Sequence, residues 1–166
     1  MYKFDKSTIN LATNIVHNLK KHHLTIGTAE SCTGGLVSTA ISEISGSSEV
    51  FLGSIISYSN QVKQDILKVN NQTITEYGPV SRQCAIEMAH GLQNIIKPDI
   101  AISITGIAGP NTDNNKTQVG LVWIATSYKN TLIAKEHHFF GNRNNIRSQI
   151  LNEVLHDIDA LLSHNC

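Results

Sequence analysis

The chain has 166 residues, 40% of them hydrophobic, and its 13 basic and 13 acidic residues give a formal net charge of zero. This length allows one domain with a hydrophobic core and leaves little room for a second. Because the chain lacks the basic field that nucleic-acid binding needs, we expect no DNA or RNA partner.

The sequence also predicts a cytoplasmic protein. Its first residues, MYKFDKSTIN, lack the apolar core of a signal peptide, and no apolar run approaches the roughly 20 residues that span a bilayer, so we expect no membrane association. Three widely spaced cysteines fit a reducing compartment and argue against a disulfide framework: Cys32, Cys84 and Cys166. Two histidine doublets form no metal-ligand motif, so we expect no metal and interpret them as surface or strand residues: His22-His23 and His137-His138.

The first half of the chain alternates predicted helices and strands. Ser7 is the predicted N-cap of a first helix, whose apolar positions recur at helical spacing: Ile9, Ala12, Ile15, Val16 and Leu19. The first strand is predicted at 24–29, and the second helix runs from Cys32 to about Ser45. Residues 50–58 mix β-branched and aromatic side chains, which indicates a buried strand, and a short helix at 60–67 follows it directly.

The second half continues the alternation and adds a hairpin. Ser81 is the predicted N-cap of a long helix that ends before Pro98, and the short apolar run 100–104 predicts an interior strand. The polar segment 111–118 is predicted to be mobile. Two β-prone runs, 119–127 and 132–140, form a predicted hairpin. Gly141-Asn142 is the predicted cap of a last helix. Helices alternating with strands predict an α/β fold whose mixed sheet is covered on both faces.

Three unusual loops each follow a predicted strand. They are 28–35, 58–63 and 105–110, and they collect at one edge of the sheet if the three strands are parallel. Together they supply two hydroxyls, a phenol and an amine: Ser31, Thr105, Tyr58 and Lys63.

The first loop has the pattern of strand, tight turn and helix. It leaves Ser31 near a helix N-terminus, where unpaired N–H groups and the helix dipole attract an anion or a developing oxyanion. Gly34 and Gly35 would let a ligand approach the backbone. The alternative is that Ser31 is only an N-cap and the glycines only permit the turn.

This set of side chains suits acyl transfer. A serine needs a base to take its proton, and since no His-Asp pair is well placed, the nearest candidate is Lys63, which must then be neutral. Desolvation or a neighbouring cation, Arg143 or Arg147, would favour the neutral amine, and an arginine could equally hold a phosphate. Tyr58 could join the proton path.

Each of these side chains also has a purely structural interpretation. Lys63 could be a solvated helix lysine, and Tyr58 could serve only packing. Arg143 and Arg147, one helical turn apart, could pair on the surface with Glu153 or Asp157. Glu30 could be a turn residue or could order Lys63 or an arginine. The pattern alone therefore predicts a small cytosolic α/β domain with a candidate Ser/Lys anion site.

Several blocks of sequence, in order along nearly the whole chain, resemble the CinA C-terminal domain family. They are TAESCTGG at 28–35, YSNQVK at 58–63, VS with AxEMAHG at 80–91, DIAISITGIAGP at 99–110 and GNRNNIR at 141–147. Members of that family include nicotinamide mononucleotide deamidases, which hydrolyse the carboxamide of nicotinamide mononucleotide to nicotinic acid mononucleotide and ammonia in pyridine nucleotide salvage.

The resemblance implies a single three-layer α/β/α domain over 1–166 with no metal or organic cofactor and a small-molecule nucleotide substrate. It implies that Ser31 is the nucleophile, Lys63 its general base and Tyr58 an assistant to proton transfer. Arg147 is the arginine expected at the site, with Arg143 second. The other expected substrate-binding residues are Glu30, Thr33, Gly34, Gly35, Thr105, Gly106 and Gly109.

The chain departs from the family at two places and leaves alternatives open. The family usually has Asp at the position of Asn142, which bears on the helix cap and arginine alignment, and a Gly-rich, Lys-Pro-containing segment where this chain has NTDNNKTQVG. Longer relatives carry a nucleotide-processing domain before this one, so we expect the stand-alone form, with a homodimer as the default assembly. The alternatives are a catalytically inactive nucleotide-binding or regulatory domain and a serine amidase for another small carboxamide.

Overall fold

A five-stranded mixed sheet runs through the middle of the computed structural model, which describes residues 4–112 and 117–165. In chain order its strands are β1 (Ile26–Glu30), β2 (Phe51–Ile56), β3 (Ile100–Gly106), β4 (Leu121–Tyr128) and β5 (Thr131–His138). The order across the sheet is β2-β1-β3-β4-β5, and β1 is parallel to both β2 and β3. β4 is antiparallel to β3 and to β5, which confirms the predicted hairpin.

The described part of the chain has six α-helices, most of which pack on one of the two faces of the sheet. They are α1 (Lys6–Lys21), α2 (Leu36–Ser42), α3 (Asn60–Asp65), α4 (Asn71–Glu76), α5 (Arg82–Ile96) and α6 (Arg143–Asn165). Large apolar residues of β3 contact α1, α2 and α6 on one face: Ile100, Ile102 and Ile104. Small residues face α5 on the other: Ala29, Ala101 and Ala125. This single-domain, three-layer α/β/α arrangement is the predicted fold class.

Two predicted helix starts differ from the structure. Asp5, not Ser7, caps α1: its carboxylate accepts from Thr8 N at 2.8 Å, and the Ser7 hydroxyl itself donates to Asp5. A carboxylate is favoured there because it also interacts with the positive end of the helix dipole. α2 begins at Leu36 instead of Cys32, because Gly34 and Gly35 have φ values of +57° and +91°, which a right-handed helix does not accommodate.

The strand predicted as buried is an edge strand. Leu52 and Ile56 of β2 are 46% and 42% exposed, because β1 covers only one side of this strand. β-Branched and aromatic residues favour edge and interior strands alike, so composition did not separate the two.

The helix α4 was not predicted, since its sequence NQTITE is short and polar.

None of the helices in the described part of the chain combines the length and apolarity needed to cross a bilayer. Of the predicted mobile segment 111–118, residues 113–116 lie outside the described residues.

Candidate active site

The parallel strands β1, β2 and β3 end at the same edge of the sheet, where their three following loops surround a cavity of about 230 Å³. The prediction that parallel strands would gather these loops is confirmed. The predicted site residues that line the cavity are Ser31, Tyr58, Lys63, Thr105, Gly106, Gly109 and Arg143.

Ser31 and Lys63 meet at the bottom of this cavity. Lys63 Nζ lies 2.9 Å from Ser31 Oγ and donates to the carbonyl oxygen of Ser57 at 2.7 Å. Only 7% of Ser31 and 2% of Lys63 are exposed. The structure therefore holds the amine and the hydroxyl within hydrogen-bond distance and away from bulk water.

Backbone and side-chain hydrogen bonds fix the positions of both residues. Ser31 N donates to Ile104 O of β3 at 3.0 Å. Lys63 lies on α3, whose N-cap Ser59 accepts from Val62 N at 3.2 Å, and Lys63 O accepts from Val69 N at 3.0 Å. The short helix therefore turns the lysine toward the ends of the strands.

Burial lowers the pKa of the Lys63 ammonium below its ordinary value of 10.5. A thiolate at Cys84 or Cys32 would raise it again, but burial raises the pKa of both thiols to about 12. At neutral pH these thiols are therefore uncharged and do not stabilise the ammonium. Of the two causes predicted as alternatives, desolvation accounts for the lowered pKa of Lys63 and a neighbouring arginine does not.

Arg143 lies at the mouth of the cavity. Its Nη2 donates to Tyr58 OH at 2.9 Å and its Nη1 to Gly109 O at 2.8 Å. Tyr58 is 59% exposed, so the phenol belongs to the rim and not to the core. Asn142 caps α6, because its side chain accepts from Asn145 N at 3.0 Å, and it thereby sets the start of the helix that carries Arg143.

Arg147 does not line the cavity, although it was the arginine expected first. Its Nη2 donates to Thr33 O at 2.6 Å, so it supports the turn after Ser31 from the other side. Its Nε and the Thr33 hydroxyl are both buried without a hydrogen-bond partner in the described part of the chain. The suggested surface pairs with Glu153 and Asp157 are also wrong, since those carboxylates lie next to His137 and Lys135.

Glu30 is fully buried and does not line the cavity. Its carboxylate accepts from the backbone N–H groups of Gly35, Val37 and Ser38 at 2.8–3.3 Å. The expectation of an anion-binding helix start is therefore corrected: the N–H groups there are taken by the protein's own carboxylate. Thr33, Gly34 and Gly35 likewise lie in the turn outside the cavity lining.

The third loop supplies the opposite wall. Thr105 Oγ1 donates to Pro79 O at 2.6 Å, which leaves its oxygen lone pairs free to accept. The cavity also has lining residues that were not singled out from the sequence: Cys32, Asn60, Pro79, Val80, Ile107, Ala108 and Asn111. Most belong to the three predicted loops, whereas Val80 begins the family motif at 80–91 and Pro79 directly precedes it.

His137 and His138 lie on strand β5, as the strand interpretation predicted. His137 also belongs to a cluster of potential metal ligands outside the cavity. Ligand atoms of His137, Glu153 and Asp157 lie within 4.8 Å of one another among the described residues. Lys135 Nζ lies 2.6 Å from Asp157, and this ammonium opposes a cation there.

Comparisons with known proteins agree with this fold. The model of the CinA C-terminal domain matches residues 8–162. A CinA-like protein of Syntrophomonas wolfei is 50% identical over 122 residues, which are 74% of this chain and 29% of that protein. A CinA-like protein of Pseudothermotoga lettingae is 42% identical over 142 residues, 86% of this chain and 35% of that protein. The chain thus spans about a third of the length of these curated relatives.

Solved structures match over nearly the whole chain. The competence/damage inducible protein CihA from Agrobacterium tumefaciens has a TM-score of 0.91 at 38% identity, covering 97% of this chain and 99% of that one. A competence-damaged protein (CinA) superfamily protein from Escherichia coli has a TM-score of 0.89 at 28% identity, covering 97% and 94%.

Proposed function

The chain belongs to the CinA C-terminal domain family, and on that premise we propose that its domain is an amidohydrolase that converts nicotinamide mononucleotide and water to nicotinic acid mononucleotide and ammonia. One observation carries the proposal: a buried lysine amine with a lowered pKa lies 2.9 Å from a serine hydroxyl in a cavity. An amine and a hydroxyl so placed form the pair that serine acyl transfer requires.

The first half of the reaction forms an acyl-enzyme. Neutral Lys63 accepts the Ser31 hydroxyl proton while Oγ attacks the carboxamide carbon, and the carbonyl oxygen becomes the tetrahedral oxyanion. The hydrogen bond to Ser57 O orients the amine, so that its lone pair faces Ser31. Lys63 then gives the proton to the amide nitrogen, the C–N bond breaks, and ammonia leaves.

The second half uses the same two groups. Water attacks the acyl ester carbon while Lys63 takes a proton from it, and collapse of the new intermediate breaks the bond to Oγ. Lys63 returns the proton to Ser31, and nicotinic acid mononucleotide leaves. A positioned base of this kind contributes about 10²–10⁴-fold in rate.

Arg143 is the group proposed to hold the substrate phosphate. Its guanidinium lies at the cavity mouth, and the structure shows no carboxylate paired with it in the described part of the chain. A planar guanidinium can take a phosphate through two parallel N–H···O bonds. Tyr58, hydrogen-bonded to Arg143, would hold this arginine in place and face the proton path.

The test is release of ammonia from nicotinamide mononucleotide by the purified protein. We expect turnover by the wild type, a loss of about 10³-fold or more in Ser31→Ala, and a loss of about 10²–10⁴-fold in Lys63→Ala. The exposed residues Ser48 and Lys68 provide matched controls, Ser48→Ala and Lys68→Ala, which should keep full activity.

Two results would contradict the proposal and favour another function. Nucleotide binding without turnover by the wild type would favour an inactive binding or regulatory domain. Equal turnover of free nicotinamide and its mononucleotide would favour an amidase for another small carboxamide, because a site that binds the phosphate discriminates against the smaller molecule.

A further inference from the structure

The turn that carries Ser31 contains two residues that allow the backbone unusual freedom. Gly34 and Gly35 both have positive φ, and they separate the serine from the first residue of α2, Leu36. Within the turn, Gly34 N donates to Ser31 O and Leu36 N to Thr33 O. These local bonds shape the turn but do not tie it to the strand from which it departs.

Glu30 makes that connection. One carboxylate oxygen accepts from Gly35 N and Val37 N at 3.0 and 3.3 Å, and the other accepts from Ser38 N at 2.8 Å. The residue immediately before Ser31 is therefore bound to the residues just after the turn. The loop from 31 to 34 is closed at both ends by a single buried side chain.

The same residue also contacts the segment that holds the lysine. Its backbone oxygen accepts from Ser57 N at 2.8 Å, and the carbonyl of Ser57 accepts from Lys63 Nζ. Its carboxylate accepts from Thr28 Oγ1 at 3.2 Å, and Thr28 Oγ1 lies 2.8 Å from Ser54 Oγ of β2. Glu30 is thus linked along the chain to Ser31 and, through the backbone of Ser57, to Lys63.

We infer that Glu30 is a positioning residue: its buried carboxylate fixes the 31–34 turn so that the Ser31 hydroxyl stays within hydrogen-bond distance of the Lys63 amine. The expected effect of Glu30 on turnover rests on the proposed function. The side chain does not line the cavity, so it acts through Ser31 and not on the substrate.

The chemistry explains why a carboxylate is needed. Both oxygens accept from backbone N–H groups, and a glutamine would turn its own NH₂ toward at least one of them. Glu30→Gln keeps the size of the side chain and loses this match, and a buried donor left unpaired is costly. Thr28→Val is a milder variant, since it removes only the neighbouring hydroxyl.

The test compares these variants with Asp99→Asn. Asp99 Oδ2 accepts from Thr25 N at 2.8 Å, so it is also a carboxylate bound to backbone, but it lies at the opposite edge of the sheet. We expect Glu30→Gln to lower kcat about 10²-fold with little change in KM, since small misplacements of reacting atoms cost about this much. Thr28→Val should lower kcat less, and Asp99→Asn should not change it.

Two further measurements separate positioning from a simple helix cap. Labelling of Ser31 by a fluorophosphonate should slow in parallel with kcat, and a crystal structure of Glu30→Gln should show Ser31 Oγ beyond hydrogen-bond distance of Lys63 Nζ. The inference would be overturned if Glu30→Gln kept the wild-type labelling rate and the wild-type distance between Ser31 Oγ and Lys63 Nζ, and showed faster amide exchange only at 35–38. If Glu30→Gln does not fold, wild-type kcat and labelling in Thr28→Val would overturn it.

Failure of the proposed function gives a different result. In that case the wild type does not turn over nicotinamide mononucleotide, and the serine–lysine distance in the crystal structure of Glu30→Gln decides the inference.

Discussion

At the scale of single residues, burial determines what Lys63 can do. An ordinary helix lysine is charged and solvated, whereas here the side chain is enclosed beside Ser31. The sequence predicted which two residues meet, because their motifs follow parallel strands. It left two causes of a lowered pKa open, desolvation and a neighbouring cation, since desolvation depends on side chains brought together from α5 and the first turn.

The buried amine should make stability depend on pH. Below the folded-state pKa of Lys63 both states are protonated, and the folded protein carries the full cost of a buried ammonium. As pH rises through that pKa toward 10.5, the folded state releases its proton first, so stability increases. The wild type should therefore gain free energy of unfolding relative to Lys63→Met over this range, measured by urea denaturation at several pH values. A constant difference would show that the amine is not perturbed.

Arg143 and Arg147 also divide their roles at this scale. Only Arg143 faces the cavity, so Arg143→Gln should raise KM for nicotinamide mononucleotide about 10–100-fold through loss of a charged hydrogen bond, with a smaller effect on kcat. Arg82→Gln, at an exposed position at the start of α5, controls for the lost charge and should leave KM unchanged. An unchanged KM in Arg143→Gln would place the phosphate elsewhere.

At the scale of elements, the strands and long helices followed from periodicity, and the errors lie where tertiary contacts decide. The β-branched and aromatic composition of β2 did not show that this strand lies at an edge, because that depends on the order of strands across the sheet. The short helix α4 is held by Glu87 of α5, whose carboxylate accepts from Asn70 N at 2.7 Å and from the Thr73 hydroxyl. Such long-range caps have no local sequence signal.

A glycine in α5 allows the segment after the lysine helix to pack closely. A Cβ at Gly91 would overlap the carbonyl of Leu67, although alanine is intrinsically the better helix former by about 1 kcal/mol. The backbone overlap should dominate, and Gly91→Ala should lose about 2 kcal/mol or more of stability in urea denaturation. Asn94→Ala, on the exposed side of the same helix, should stay within about 0.5 kcal/mol. A stabilised Gly91→Ala would mean that the Leu67 segment is not held against the helix.

At the scale of the whole molecule, the candidate site joins five separate segments of the chain. The positions of three loops directly after predicted strands predicted their convergence, and the structure confirms that these strands are parallel and end at a common edge. The arginine at the start of α6 was placed less well. The motif fixes its position in sequence, but the direction of a helical side chain depends on how the helix packs.

Ligand binding should therefore stabilise the fold as a unit. Ser31→Ala removes the reacting oxygen but keeps Arg143 and the cavity walls, so nicotinamide mononucleotide at 100 times its Kd should stabilise this variant by about 2.7 kcal/mol. That corresponds to a rise in Tm of roughly 5–10 °C for a domain of this size. Differential scanning fluorimetry, with free nicotinamide as the control ligand, measures it. Equal shifts for both ligands, or none, would contradict phosphate recognition.

The contact between the first and last helices has a consequence for synthesis on the ribosome. α1 packs against α6 in the main hydrophobic core, and Thr8 Oγ1 donates to Asn152 Oδ1, 144 residues away in sequence. A nascent chain cannot bury the apolar side of α1 in this way until α6 has emerged from the exit tunnel. Until then the side of α1 that packs on α6 remains uncovered, and Arg143, at the start of α6, reaches the cavity mouth only at the same late stage.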